Sequence, residues 1–233
     1  LSHLPWFQSF SKSSPMKSYI ALEWVEGETL DTYFGIEESE EQVVQWFAEI
    51  SSALNSVHSA GLIHRDVKPS NIMIDNSGRA RMMDFGIARS TDESRTIVTE
   101  TGQNIGTFAY MSPEQLRTKS AAQDIGPPTD IYSLCATFYE LFTATRLYRH
   151  DTTEAHTVRS KKMSGEPPER PRRLQHNLSW ELETILLGGL ETEIRDRYQT
   201  MAALLKDIER YRADEPIHFR RPSVYRRSVL WYR

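Results

Sequence analysis

The stretch whose reading decides the fold runs His64-Arg65-Asp66-Val67-Lys68-Pro69-Ser70-Asn71, and after a spacer of twelve residues it is answered by Asp84-Phe85-Gly86. It gathers an acid, a base, an amide and a second acid, side chains of the kinds that move protons and hold hard cations. Taken singly, each residue has an ordinary use: Asp66 and Asp84 in solvated turns, Asn71 as a cap, His64 in a core. Their coincidence with further motifs along the chain argues for one site.

Working outward, Ser39 with Glu40, Glu41 and Gln42 forms a capping box, and Val43, Phe47, Ile50, Leu54 and Val57 then recur at helical spacing until Gly61 supplies the stop. This predicts a long helix leading into the His64 loop. Ahead of it, Ser18 to Val25 is an apolar and aromatic run that reads as a strand, closed by Glu26-Gly27 as a turn. Beyond the loop, Leu62-Ile63 and Ile72-Met73-Ile74 flank the turn Asp75-Asn76-Ser77-Gly78 and suit short strands or loops. The polar run from Ser90 to Asn104 reads as an exposed loop. Asp130 to Thr143 is too dense in Ile, Leu, Phe and Tyr for a surface helix, which predicts a helix buried on most sides. Later helices are marked by Ser179 before Leu182, Ile185, Leu186 and Leu190, and by Met201, Leu204, Leu205, Ile208 and Tyr211. Between them, Glu166 to Arg173, with three Pro and three Arg, reads as a loop.

A chain of 233 residues, 39% hydrophobic and 26% charged, is long enough for one sizeable core. Cys135 is the only cysteine, so an internal disulfide or thiolate metal site is excluded and a reducing compartment fits. Its place within an apolar run reads as core. No stretch reaches the roughly 18 uninterrupted apolar residues of a membrane span, and the first 25 residues carry no signal pattern, so the segment reads as soluble. The formal charge is −4, but from Arg210 onward seven Arg face two acids, while the rest holds 21 bases against 30 acids. The body is acidic and the tail is basic. The first residue is Leu, which raises the expectation that the polypeptide begins earlier. Nucleic-acid binding has no support beyond the basic tail.

The His64 to Asn71 segment and Asp84-Phe85-Gly86 resemble the catalytic loop and the metal-binding motif of the protein kinase family, in its bacterial, eukaryotic-like serine/threonine form. The resemblance implies an α+β, protein-kinase-like fold: a mainly α-helical C-lobe with a remnant of the β-rich N-lobe. It sets boundaries at 1–27 for the remnant and hinge, 28–215 for the C-lobe and 216–233 for a basic, juxtamembrane-like tail. It implies that Asp66 accepts the substrate hydroxyl's hydrogen bond and takes its proton, that Lys68 contacts the transferring phosphoryl group, and that Asn71 and Asp84 hold Mg²⁺, with Mn²⁺ as a substitute. His64 and Phe85 are then packing residues that join the catalytic loop to the metal loop.

Gly106-Thr107-Phe108-Ala109-Tyr110-Met111-Ser112-Pro113-Glu114 is similar to the end of a kinase activation segment, with Ser-Pro-Glu where Ala-Pro-Glu is more familiar. By the same resemblance Glu114 pairs with Arg197, a pairing that makes a buried carboxylate tolerable, and Asp130 fastens the backbone of the catalytic loop. Lys68 and Thr107 match serine/threonine rather than tyrosine specificity. Arg65 and Arg89 match residues that grip an activation-segment phosphate, and Thr99 or Thr101 is the expected acceptor of that phosphate.

Tyr19 to Gly27 resembles the strand and hinge that hold adenine: Glu23 and Val25 would bond the base edge through their backbone, Leu22 would lie behind it and Met73 would form its floor. A Gly-rich loop, a strand Lys and a helix Glu, which the family carries further upstream, are not found in the chain, so weak ATP binding and little phosphate transfer are expected of it alone. The implied function is transfer of the ATP γ-phosphate to Ser or Thr hydroxyls of proteins in bacterial signalling, against the alternative of a truncated, non-catalytic interaction module. Implied partners are protein substrates, a second copy during autophosphorylation and, through the tail, a membrane surface. The implied location is cytoplasmic, with the full-length protein anchored in the membrane.

Overall fold

The computed structural model describes residues 23–84, 108–117, 125–148 and 155–220. Its longest helix, α1 (Glu40–Ser59), starts where the sequence places it, with the Ser39 hydroxyl accepting the Gln42 N–H at 3.2 Å. Val43, Val44, Phe47, Ile50 and Leu54 make its buried stripe. Gly61 lies at φ +77° just beyond it, the left-handed conformation that glycine adopts without a Cβ penalty.

Three short strands, β1 (Gly27–Thr29), β2 (Ile72–Asp75) and β3 (Ala80–Met82), form an antiparallel sheet in that order, with Gly27 opposite Asp75 and Ile72 opposite Met82. The predicted strand over 18–25 is corrected in its described part, because residues 23–26 are irregular and the strand begins at Gly27. Its first residues, 18–22, lie outside the described residues. Gly27 is needed for close approach: a Cβ there would stand 2.0 Å from the Ile74 carbonyl oxygen, inside the β1–β2 pairing. On β2 the side chains alternate, Ile72 and Ile74 buried and Met73 half-exposed on the opposite face. The turn after it is an Asx turn in which Asp75 Oδ1 accepts from the Ser77 hydroxyl, Ser77 N–H and Arg79 N–H. The Ser77 hydroxyl and Arg81 foremost hold the Asp75 carboxyl well below the usual range.

The other α-helices are α2 (Pro113–Leu116), α3 (Pro127–Thr143), α4 (Ala155–Ser164), α5 (Pro171–Leu174), α6 (Trp180–Gly189) and α7 (Met201–Arg212). α3 is the buried axis of the body, enclosed by α1, α6 and α7, with Phe47 stacked on Phe138 at 4.6 Å. Cys135 is fully buried there, against the backbone of Gly189. One expectation is corrected. The Glu166 to Arg173 loop gives way to a helix at Pro171, because a proline at the first helical position loses no hydrogen bond and comes with its φ already set. α4 has too few apolar residues to show a helical period, so no helix was expected there.

After α7 the chain turns back onto the body. Asp207 accepts the N–H groups of His218 and Phe219 at 2.8 Å each, Ile217 is buried, and Phe219 stacks on Tyr198 at 4.2 Å. Residues 217–219 therefore strap the helical body together, and no described helix is long and apolar enough to cross a membrane.

Candidate active site

The loop between α1 and β2 has little regular structure, so its shape depends on what its backbone groups bond. Asp130, fully buried in the first turn of α3, supplies most of this. Its Oδ2 accepts the His64 N–H at 2.8 Å, its Oδ1 the Arg65 N–H at 2.8 Å, and His58 Nε2 closes on Oδ2 at 2.8 Å from the end of α1. Arg65 sits at φ +66°, in a region that costs a non-glycine residue about 1–3 kcal/mol and persists only where the surroundings over-determine it. The two charge-assisted bonds from Asp130 provide that constraint.

Past this turn the side chains of Asp66, Lys68 and Asn71 come together. Asp66 Oδ2 accepts from Lys68 Nζ at 2.9 Å and from Asn71 Nδ2 at 3.1 Å, and Asn71 Nδ2 also donates to the Asp66 carbonyl at 2.8 Å. The carboxylate is thus divided: Oδ2 is held by two donors, while Oδ1 has no hydrogen bond among the described residues. The Asn71 amide is divided in the same way, its nitrogen spent on Asp66 and its oxygen without a donor among the described residues.

Asp84 joins this group through the backbone. Met83 N–H donates to the Asn71 carbonyl at 2.8 Å, and His64 Nε2 meets the Met83 carbonyl at 3.1 Å. Asp84 therefore follows directly on a residue pinned to both Asn71 and His64. Its φ of +45° turns the chain out of β3, and its side chain is exposed, with no ion pair among the described residues. An amide oxygen and a carboxylate are hard donors of the kind Mg²⁺ takes alongside phosphate oxygens and water. This donor set fits the ion.

Glu114 and Arg197 meet in a buried, two-pronged pair, Nη1 to Oε1 at 2.8 Å and Nη2 to Oε2 at 3.2 Å. Arg197 further donates to the carbonyls of Pro128, Glu191 and Thr192, and the Thr129 hydroxyl donates to Glu114. Burial pushes the Glu114 carboxyl up, but the guanidinium beside it prevails and holds it below its ordinary value. Gln115, next in the chain, reaches from α2 to the Arg65 carbonyl at 2.8 Å. The Glu114 segment is thereby tied to the loop that carries Asp66.

Of the residues expected to contact adenine, Met73 and Val25 are half-buried and Glu23 is exposed, while Leu22 lies outside the described residues. Phe85, Arg89, Thr99, Thr101 and Thr107 also lie outside them. The Arg65 side chain is exposed. Sequence reasoning missed four contributors: His58, Gln115, Glu140 and Lys162. His58 and Gln115 sit on helices beside recognised motifs, and their spacing from those motifs was a usable signal. Glu140, which accepts the Tyr110 hydroxyl at 2.6 Å, and Lys162, fully buried, offered none, because a polar residue on a helix reads as solvated.

Known proteins resemble the chain along most of its length. The family model described as protein kinase domain matches residues 6–207. Among curated proteins, the chain is similar to serine/threonine-protein kinase PknB of Mycobacterium tuberculosis, at 36% identity over 200 residues, covering 85% of this chain and 31% of that protein. It is similar to the probable serine/threonine-protein kinase CE0033 of Corynebacterium efficiens, at 38% identity over 69% of this chain and 24% of that protein. It is also similar to the probable serine/threonine-protein kinase SCO3848 of Streptomyces coelicolor, at 32% identity over 85% of this chain and 29% of that protein. The chain thus spans less than a third of the length of these relatives.

Proposed function

The chain belongs to the protein kinase family, and from that premise we propose that it transfers the γ-phosphoryl group of ATP to Ser or Thr hydroxyls of proteins, using the loop from His64 to Asn71. The observation that carries this reading is the divided carboxylate of Asp66, one oxygen anchored by Lys68 and Asn71 and the other open. An anchored acid with one free oxygen is suited to accept the hydrogen bond of an incoming hydroxyl and to take its proton as the new P–O bond forms.

Lys68, which donates to Asp66 Oδ2, would set its ammonium beside the phosphoryl group in transit from ADP to the hydroxyl. Asn71 and Asp84 would hold Mg²⁺ through Oδ1 and the carboxylate. The ion's contribution when bound is neutralisation of charge on the phosphate oxygens. Met73, half-buried on β2, would form the floor under the adenine, and the backbone of Glu23 and Val25 would bond its edge.

Arg65 and Arg89 would clamp a phosphate on Thr99 or Thr101, making activity depend on autophosphorylation between two copies. His64, Phe85, Glu114, Asp130 and Arg197 keep the scaffold. We assign 1–27 to the nucleotide lobe and hinge, 28–215 to the catalytic lobe with the 217–219 strap docked on it, and the basic stretch beyond the strap to a segment lying near a membrane surface on the cytoplasmic side.

The test is incubation with γ-labelled ATP and Mg²⁺ and a mixed protein acceptor, followed by phosphoamino acid analysis, on this chain and on the same chain preceded by a nucleotide-covering lobe of the family. Label on Ser or Thr, stronger in the longer polypeptide, is the expected result. Label on Tyr alone, or none in either, would overturn the reading.

A further inference from the structure

Lys162, on α4, is only 1% exposed, yet it makes no ion pair with any described residue. Its three ammonium protons go to three backbone carbonyls of one short turn: Phe108 at 3.1 Å, Ala109 at 2.6 Å and Met111 at 2.6 Å. No other side chain among the described residues donates to these carbonyls. The Tyr132 ring lies 5.1 Å away, with the cation over its face. Burial pushes the Lys162 ammonium down to about 7, against the opposing pull of the Glu140 and Glu114 carboxylates. A buried cation of this kind is costly, and an apolar side chain of similar length would fill the space without that cost. What an apolar side chain could not do is hold three carbonyls of a segment with little regular structure.

The segment so held runs directly into Ser112 and α2. Ser112 and Gln115 cap one another there, Gln115 N–H donating to the Ser112 hydroxyl and Ser112 N–H to Gln115 Oε1. Gln115 Nε2 then reaches the Arg65 carbonyl at 2.8 Å, one residue from Asp66. The opposite flank of Asp66, through Asn71, leads to Met73 and the sheet. The contacts therefore form a chain: Lys162, the turn 108–111, Gln115, Arg65, Asp66. It reaches the acid through Arg65, whereas Asn71 and Met73 follow on the other flank of Asp66 in the chain.

We propose that Lys162 is a positioning residue for the protein acceptor: by fixing the carbonyls of Phe108, Ala109 and Met111 it sets the turn 108–111 at the register in which Gln115 meets Arg65, and so places the surface on which the acceptor lies beside Asp66. This rests on the phosphoryl-transfer reading for its kinetic consequence, but not for the clamp itself. Glu140 supports it from α3, taking the Tyr110 hydroxyl and the Leu147 N–H, and so closes the turn from the other side.

The test pairs amide hydrogen exchange with kinetics on the parent, Lys162→Met and Gln115→Leu. Lys162→Met is expected to speed exchange in peptides covering 108–117 by at least about tenfold, the loss expected when a charge-assisted hydrogen bond is removed, while α1 exchanges as in the parent. In the transfer assay KM for a peptide acceptor rises by a comparable factor and KM for ATP stays within about twofold. Gln115→Leu, which leaves Lys162 and its cavity intact, is expected to raise acceptor KM without speeding exchange at 108–111.

Unchanged exchange in Lys162→Met would overturn the clamp. Equal rises in both KM values, or a normal acceptor KM in Gln115→Leu, would overturn the positioning role. Should neither the parent nor the parent preceded by a nucleotide-covering lobe transfer phosphate, the phosphoryl-transfer reading fails, and the exchange arm still decides the clamp.

Discussion

Asp130 and Arg65 stand 65 residues apart in the chain, and the carboxylate of the first accepts the backbone N–H of the second at 2.8 Å, holding it in a left-handed turn that its own side chain disfavours. The same carboxylate takes the His64 N–H, so the position of Asp66 is inherited from α3. Asp130→Ala removes the shared acceptor of the His64 and Arg65 N–H groups and the partner of His58, a loss of roughly 3 kcal/mol. Denaturant melts are expected to show the lowered midpoint, with labelled-phosphate transfer reduced by more than the folded fraction accounts for.

The Glu114–Arg197 pair predicts a pH signature. The Glu114 carboxyl sits below its unfolded value, so the folded state gains from it fully above about pH 4.5, and this gain is lost as pH falls through the lower folded value. Urea melts from pH 3 to 7 should show a fall in stability below about pH 4.5 that is shallower in Glu114→Gln. At neutral pH the variant should lose about 3–5 kcal/mol, because the Arg197 charge is left buried without its partner.

Gly189 and Cys135 should couple. A Cβ at Gly189 would stand 2.1 Å from the Cys135 sulfur. Gly189→Ala is therefore expected to cost about 1–3 kcal/mol through overpacking of α3 against α6. Adding Cys135→Ala removes the nearest atom, so the double variant should be less destabilised than the sum of the two single ones in a thermal double-mutant cycle.

Asp207 holds the strap. It accepts from Tyr198, His218 and Phe219, so Asp207→Ala removes three partners at once. Trypsin cleavage at Arg220 is expected to quicken by at least about tenfold, the factor that corresponds to one lost hydrogen bond at the opened strap. Cleavage within α1 should stay at the parental rate.

The sequence was most informative where one physical signal decides an element. Ser39 and the apolar stripe behind it define α1, and the density of Ile, Leu, Phe and Tyr from Asp130 to Thr143 defines a helix buried on most sides. The β1 strand was missed because three residues, Gly27 to Thr29, carry no alternation, and because Gly27 serves a close approach that looks like a turn signal in one dimension. The polar parts of the site divide in the same way. Asp66, Lys68 and Asn71 come from one short loop, so their meeting was legible. Lys162 acts from a helix 51 residues beyond Met111, and nothing local separates a buried lysine from a solvated one.

The most direct test of the account is the rate of Mg²⁺-dependent phosphate transfer from ATP to a Ser or Thr acceptor in the parent and in Asp66→Asn, which keeps the bonds from Lys68 but cannot take a proton. The account predicts a drop of about 10²–10⁴-fold, the usual range for losing a general base, with nucleotide binding preserved. Transfer by Asp66→Asn at the parental rate would contradict it.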